Sequence, residues 1–185
     1  MAVLVPVKAF ARAKLRLHPQ VEAADRALPA RAMAEHVLDA GGDLPRAVVC
    51  DDADVAAWAR GRGALVVWEP GRGLNGAVEA GVEHLAAAGV ARVIVAHADL
   101  PLARDLARVA AFAGVTLVPD HRDDGTNVIA LPTGTGFSFS YGPGSFRRHG
   151  DEARRRLLPV RVMREPLLTH DIDVPDDLEQ VTLPA

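Results

Sequence analysis

Three aspartates are the residues whose type and spacing most clearly suggest chemistry. Asp99 follows an unbroken apolar, β-branched run at residues 93–95, which is typical of a buried strand. Asp171 and Asp173 are two positions apart, so in an extended segment their side chains point to the same side. In an open parallel sheet, ligands bind just outside the carboxyl ends of the strands. The three carboxylates could therefore hold Mg²⁺, which keeps several waters and is completed by substrate phosphates.

A simpler interpretation of each acidic group stays open at this point. Asp99 precedes a helix predicted over residues 101–113 and could cap it. The acidic group at residues 51–54 follows another predicted strand, and we interpret it as capping carboxylates rather than as a metal site.

The first loop concentrates positive charge. Lys8, Arg12, Lys14 and Arg16 alternate there with small or apolar residues, and the chain has no other lysine among its 21 basic residues. Several convergent cations are what a triphosphate needs, since they offset its charge and stabilise the leaving group. The loop has no glycine-rich turn, so it matches neither the P-loop nor the dinucleotide-binding pattern.

Two further stretches are candidate ligand contacts. Asn75 follows a Pro- and Gly-rich turn and could recognise a purine edge or a ribose, although a plain helix N-cap is its favoured role. Gly142 and Gly144, followed by Ser145 at the start of a polar helix, predict an anion nest with exposed amides. Ser145 is not expected to be a hydrolytic nucleophile, because the GxSxG pattern is absent.

Short apolar strands alternating with helices must position these residues. Strands are predicted over residues 2–7, 46–50, 64–67, 93–95, 115–118 and 128–131, with an edge strand over 137–140. Helices are predicted over 21–40, with Pro29 starting or kinking a second segment, over 53–60, over 101–113, and in the stretches ending near Gly89 and beginning at Ser145. We expect one α/β domain over residues 1–185, a three-layer sandwich with a mostly parallel central sheet.

Composition excludes several classes of function. The 185 residues are 49% hydrophobic and carry a net charge of -3, which gives no basic field for nucleic acid, and no apolar run is long enough for a membrane span. The chain opens on a predicted strand rather than a signal peptide. Cys50 is the only cysteine, so we expect no internal disulfide and a cytoplasmic protein. The sequence leaves open whether the protein forms a homodimer.

The order of the motifs resembles a known enzyme family. An acid after the fourth strand and the late Asp171-Ile-Asp173 are typical of the molybdenum-cofactor guanylyltransferase-like superfamily of nucleotide-diphospho-sugar-transferase-like fold. More narrowly, the chain resembles the phosphoenolpyruvate and 2-phospho-L-lactate guanylyltransferases of coenzyme F-420 biosynthesis. The blocks that carry this resemblance span nearly the whole chain: Val5-Pro-Val-Lys8, Ala13-Lys14-Leu-Arg16-Leu, Gly73-Leu-Asn75, His97-Ala-Asp99-Leu-Pro, Asp124-Gly-Thr126-Asn127 and Tyr141-Gly-Pro-Gly-Ser145-Phe.

The resemblance implies a reaction and a role for each block. The phosphate of a small acid would attack the α-phosphorus of GTP and release pyrophosphate, with phosphoenolpyruvate, 2-phospho-L-lactate or 3-phospho-D-glycerate as the acceptor. The strong bias toward arginine over lysine hints at a GC-rich source and favours phosphoenolpyruvate among the three. Asp99, Asp171 and Asp173 would hold Mg²⁺. Lys8, Lys14 and Arg16 would meet the triphosphate, and Asn75 would lie near the nucleoside. The acceptor would be held by Thr126, Gly142 and Ser145. The catalytic residues would be Asp99, Lys8 and Lys14.

Three alternatives differ in class. A sugar-nucleotide-dependent glycosyltransferase also places carboxylates and a metal after a central strand. A receiver-like signalling domain would fit the size and the acidic pair after the second strand, but it needs a late lysine that the chain lacks. A zinc site from His97, Asp99 and His170 is a third possibility, without the spacing of a known zinc motif.

Overall fold

In the part of the chain that the structure describes, seven strands form one central sheet. A computed structural model describes residues 1–10 and 23–170, apart from the side chains of residues 23–26. The strands are β1 (Ala2–Pro6), β2 (Arg46–Cys50), β3 (Leu65–Trp68), β4 (Arg92–Ala96), β5 (Val115–Pro119), β6 (Thr126–Pro132) and β7 (Val160–Val162). The helices are α1 (Ala23–Asp39), α2 (Ala53–Gly61), α3 (Gly73–Ala87), α4 (Ser145–Arg155) and α5 (Pro166–Thr169), with a 3₁₀ helix at Leu106–Ala111.

The strand order is β3-β2-β1-β4-β6-β5-β7. Every described pairing is parallel except the two that β6 makes, with β4 and β5. The prediction of a mostly parallel sheet is therefore confirmed. The order runs outward from β1 in two directions, to β2 on one side and to β4 on the other, and this is the position at which α/β sheets open a ligand crevice.

Helices cover both faces of the sheet. Alternate residues of β1 point to opposite faces, and Val3 and Val5 join a core with α1, α2 and the 3₁₀ helix. Leu4 joins the other core, with α3 and α4. Each such side chain stabilises the fold by about 1.5–3 kcal/mol through burial. Packing on the second face is close, because a Cβ atom on Gly81 of α3 would lie 2.7 Å from the Leu4 side chain.

Most predicted elements are confirmed within one or two residues. Asp52 caps α2 as expected, since its side chain accepts hydrogen bonds of 3.1 Å from the amides of Asp54 and Val55. Helix α1 continues through Pro29 as one helix instead of starting a second segment there. No helix in the described ranges is both long and apolar enough to cross a bilayer.

The helix predicted over residues 101–113 is wrong. Turns lead from Pro101 to Asp105, whose backbone is left-handed (φ 47°), and only the short 3₁₀ helix follows. The Leu106 amide donates to the Ala40 carbonyl at 3.0 Å, across to the end of α1, instead of to its own preceding turn. This long-range bond replaces the local bonding of an α-helix.

The edge strand predicted over residues 137–140 is also wrong, although its alternation is real. Phe137 and Phe139 are buried while Ser138 is exposed, as in a strand. This extended segment pairs with no strand of the described sheet, because side chains of α3 and α4 accept its amide hydrogens. Strand β7, which was not predicted, provides the edge beside β5.

Candidate active site

A cleft of about 600 Å³ opens at the carboxyl ends of β1, β2, β3 and β4. Its wall includes the segment that follows each of these strands, together with residues of α1 and α3. Charged side chains from four different segments face it: Lys8, Asp51, Glu69 and Asp99. The remaining wall is mainly apolar, as is typical of a pocket for a small molecule.

Lys8 and Asp99 share this cleft, as their positions after neighbouring strands predict. Strands β1 and β4 are paired in register, with Leu4 opposite Val95. Lys8 is exposed and Asp99 is half-buried. An ammonium and a carboxylate on one wall can together contact a phosphate chain and the cation that accompanies it.

Asp99 is held by a turn rather than by a helix. The amide of His97 donates to the Asn127 carbonyl at 3.0 Å, and the next apolar side chain, Leu100, is fully buried. Because turns follow Asp99, the alternative that it caps an α-helix is wrong. Its carboxylate oxygens, facing a cleft, are ligands of the type that Mg²⁺ prefers.

Several predicted site residues lie outside the described residues. These are Arg12, Lys14 and Arg16 of the first loop, and Asp171 and Asp173 near the end of the chain. Among the described residues no group of three metal-binding side chains comes together, so the zinc site of His97, Asp99 and His170 is not formed. The Mg²⁺ triad of Asp99, Asp171 and Asp173 stays a prediction.

Asn75 is not the N-cap of its helix. The cap position of α3 is Arg72, and Asn75 lies within the first turn. Its Oδ1 atom accepts a hydrogen bond of 2.7 Å from the Tyr141 amide. Asn75 therefore ties α3 to the loop that carries Gly142 and Ser145.

In the segment at residues 138–141, every backbone amide donates a hydrogen bond to a side chain. Each of the four backbone N–H groups donates to a side chain of α3 or α4, which replaces the bonding that a neighbouring strand would supply. The pairs are Ser138 with Glu152 at 3.1 Å, Phe139 with Glu79 at 3.0 Å, Ser140 with His149 at 2.9 Å, and Tyr141 with Asn75 at 2.7 Å.

The anion nest predicted at Gly142, Gly144 and Ser145 has the expected backbone but not the expected free amides. Gly142 and Gly144 adopt positive φ angles of 107° and 72°, which favour glycine. However, the Ser145 amide donates to the Gly142 carbonyl and the Phe146 amide to the Asp124 carbonyl, both at 3.0 Å. The prediction of exposed amides is wrong for these two groups, since the first bonds within the turn and the second bonds to the loop before β6.

Thr126, Gly142 and Ser145 nevertheless belong to one cluster. The Phe146–Asp124 bond joins the start of α4 to the loop before β6, and the Thr126 hydroxyl lies 3.0 Å from Nδ1 of His149 on the same helix. Thr126 and Ser145 are both buried. This cluster does not line the cleft itself, but it is connected to it by His97, whose ring packs edge-on against Tyr141 with centroids 4.8 Å apart.

Burial shifts the pKa of several side chains. Burial, together with the charges of His97 and Arg148, lowers the pKa of His149 to about 4, so this imidazole is neutral at physiological pH. Burial likewise raises the pKa of the Tyr141 phenol and of the Cys50 thiol, which keeps both protonated. For Glu152, burial raises the pKa, but hydrogen bonds from Arg155, Arg156 and the Ser138 amide outweigh it and bring the pKa to about 2.

Three buried or half-buried acceptors were not found from the sequence: His149, Glu79 and Glu152. Their partners are 9 to 60 positions away in the chain. No local pattern marks such contacts. The arginines of α4 predict mostly a solvated face, with Arg147 and Arg148 within reach of a bound anion.

The fold is that of nucleotidyltransferases. A nucleotidyl transferase from Methanothermobacter shares it with a TM-score of 0.66 at 15% identity, over 97% of this chain and 94% of the other. The 2-C-methyl-D-erythritol 4-phosphate cytidylyltransferase from Thermus thermophilus shares it with a TM-score of 0.58 at 18% identity, over 97% and 96% of the two chains. These likenesses show the fold, a mostly parallel sheet with a cleft beside β1 and β4.

The family is narrower than this class. Residues 1–184 match the family model described as Guanylyl transferase CofC like, and the chain belongs to this family. Phosphoenolpyruvate guanylyltransferase from Sphaerobacter thermophilus is 35% identical, with 96% of this chain and 90% of the relative covered. The enzyme of the same name from Roseiflexus castenholzii is 38% identical, with 95% and 84% covered. The 2-phospho-L-lactate guanylyltransferase from Methanothermobacter thermautotrophicus is 32% identical, with 97% and 83% covered.

Proposed function

We propose that the chain joins the GMP moiety of GTP to a small phosphorylated carboxylic acid and releases pyrophosphate, as a step of coenzyme F-420 biosynthesis. The observation that carries this proposal is the shared cleft of Lys8 and Asp99 at the carboxyl ends of β1 and β4. Membership of the guanylyl transferase family supports the choice of GTP. The names of the relatives support phosphoenolpyruvate as the first acceptor to test, and 2-phospho-L-lactate as the second.

The reaction needs positioning and charge more than proton transfer. A phosphate oxygen of the acceptor attacks the α-phosphorus of GTP, and the bond from that phosphorus to the oxygen bridging to the β-phosphorus breaks. The electron pair leaves with pyrophosphate. Because the acceptor phosphate is already an anion, no general base is required, and the protein must align two anions and offset their repulsion.

Each predicted site residue has a role in that scheme. Lys8 contacts the triphosphate and stabilises the charge that develops on the leaving pyrophosphate. Asp99, with Asp171 and Asp173, would hold Mg²⁺, which supplies charge neutralisation for the phosphates when bound. Lys14 and Arg16 would extend the cationic side, and Asn75 would lie near the nucleoside. Thr126, Gly142 and Ser145 would bind the acceptor.

A pyrophosphate-release assay tests the proposal. The protein is incubated with Mg²⁺, either GTP or ATP, and one acceptor: phosphoenolpyruvate, 2-phospho-L-lactate or 3-phospho-D-glycerate. We expect release with GTP and phosphoenolpyruvate, with a product that contains GMP, and little release with ATP or without an acceptor. No release with any of the three acceptors would overturn the proposal, as would equal release without an acceptor. We place the reaction in the cytoplasm. We also propose that the protein forms a homodimer, which light scattering tests.

A further inference from the structure

We propose that His149 is a positioning residue that makes the Thr126 hydroxyl a hydrogen-bond donor to the anionic group of the acceptor substrate. This inference rests on the proposed function, because it assigns the ligand of Thr126. We call Thr126, Gly142 and Ser145 the acceptor cluster. His149 is fully buried on α4, and its two ring nitrogens contact Thr126 of this cluster and Ser140, just before Gly142. The role follows from how those contacts fix the ring proton.

The backbone amide of Ser140 determines the tautomer. It lies 2.9 Å from Nε2 of His149, and an amide N–H can only donate, so Nε2 must carry the lone pair. The single proton of the neutral ring is therefore on Nδ1. That N–H points to the Thr126 oxygen, 3.0 Å away.

Thr126 is left with a proton to donate. Its oxygen accepts from His149, and across residues 1–10 and 23–170 this ring is the only hydrogen-bonding partner of the Thr126 hydroxyl. The residue is only 3% exposed. A desolvated O–H group whose oxygen is already occupied is suited to donate to a carboxylate or phosphate oxygen.

The same ring orders the rest of the acceptor cluster. By accepting from Ser140 it fixes the chain just before Gly142 and Ser145, and the Arg148 guanidinium donates to the Ser140 carbonyl at 2.7 Å from the other side. The rings of Tyr141 and Phe139 pack edge-on against the imidazole at 4.9 and 6.1 Å, which limits its rotation. One buried side chain thus couples β6 to the loop before α4.

Two conservative variants separate the two contacts. In His149→Gln the side-chain amide of the glutamine lies near the former position of Nε2. Its oxygen can still accept from the Ser140 amide, but the donor to Thr126 is lost. In His149→Asn the side-chain amide of the asparagine lies near the former position of Nδ1. This variant keeps the donor to Thr126 and loses the acceptor for Ser140. With both substrates varied in the pyrophosphate assay, we expect His149→Gln to raise the acceptor KM about tenfold, the worth of one buried hydrogen bond, with kcat and the GTP KM within about twofold. His149→Asn should raise the acceptor KM less than threefold.

A double variant and a matched control complete the design. Thr126→Val should raise the acceptor KM like His149→Gln, and the double variant should be no worse than Thr126→Val alone, because both act through one hydroxyl. The same change at an exposed histidine of α3, His84→Gln, should leave every constant unchanged. An acceptor KM that is unchanged in His149→Gln, or a GTP KM that rises equally, would overturn the inference.

A measurement on the unsubstituted protein covers the case in which a buried variant fails to fold. The ¹⁵N spectrum of the histidine rings distinguishes the Nδ1–H from the Nε2–H tautomer. We expect Nδ1–H for His149, with a shift of its signals when phosphoenolpyruvate is added. An Nε2–H ring would overturn the inference by itself. A wild type without pyrophosphate release would instead overturn the proposed function, which distinguishes the two failures.

Discussion

The Oδ1 atom of Asn75 accepts a 2.7 Å hydrogen bond from the amide of Tyr141, a residue 66 positions later in the chain. This contact joins the first turn of α3, beside the cleft, to the loop of the acceptor cluster. It gives Asn75 a structural task in addition to the nucleoside contact proposed for it. The two tasks are separable by experiment.

Asn75→Ala should lower the free energy of unfolding by about 1–3 kcal/mol, because it leaves the partly buried Tyr141 amide without an acceptor. Asn75→Asp keeps an oxygen at the same place and should lose less. Urea denaturation measures both variants. Equal stability of Asn75→Ala and wild type would show that the bond contributes nothing measurable.

Sequence patterns predicted the elements that depend on neighbouring residues. The run before Asp99 predicted β4, and the acidic group after β2 predicted the Asp52 cap, because strand burial and capping are local. The helix predicted after Pro101 was wrong because the Leu106 amide bonds to α1. The roles of Asn75 and His149 depend on partners that only the folded chain brings near. The spacing of residues in the sequence therefore does not predict these roles.

Strongly acidic pH should destabilise the protein through His149. Its pKa falls from an ordinary 6.5 to about 4 on folding, because of burial first and then the charges of His97 and Arg148, which Glu152 partly offsets. The unfolded chain therefore binds more protons between these values, and the free energy of unfolding falls as pH drops from 6.5 toward 4, by up to about 3 kcal/mol. Denaturant titrations at several pH values in wild type and His149→Gln measure this, and a slope unchanged by the substitution would contradict it.

Removing the cap of α2 should cost about 1 kcal/mol of stability. Asp52→Ala frees the amides of Asp54 and Val55, whose hydrogen bonds of 3.1 Å the Asp52 carboxylate accepts. Asp52→Ser, which retains a capping oxygen, should recover most of the loss. Thermal unfolding followed by circular dichroism compares the variants, and an Asp52→Ala protein as stable as Asp52→Ser would argue against the cap.

Lys8→Gln should reduce kcat for pyrophosphate release by about 10²-fold, the typical effect of removing one group that stabilises developing charge. The side chain is exposed at the cleft, so the fold should be unaffected. Arg31→Gln, an exposed position on α1, is the matched control and should retain full activity. A Lys8→Gln enzyme with wild-type kcat would remove this residue from the proposed triphosphate site.

The most direct test of guanylyl transfer at this cleft is the rate of pyrophosphate release from GTP and phosphoenolpyruvate by Asp99→Asn over a range of Mg²⁺ concentrations. The control is Asp43→Asn, an exposed position ahead of β2 and thus at the opposite end of the strands. We predict that Asp99→Asn loses nearly all activity at every Mg²⁺ concentration while its thermal unfolding and the control's activity match wild type. Wild-type turnover by a folded Asp99→Asn protein would contradict the account.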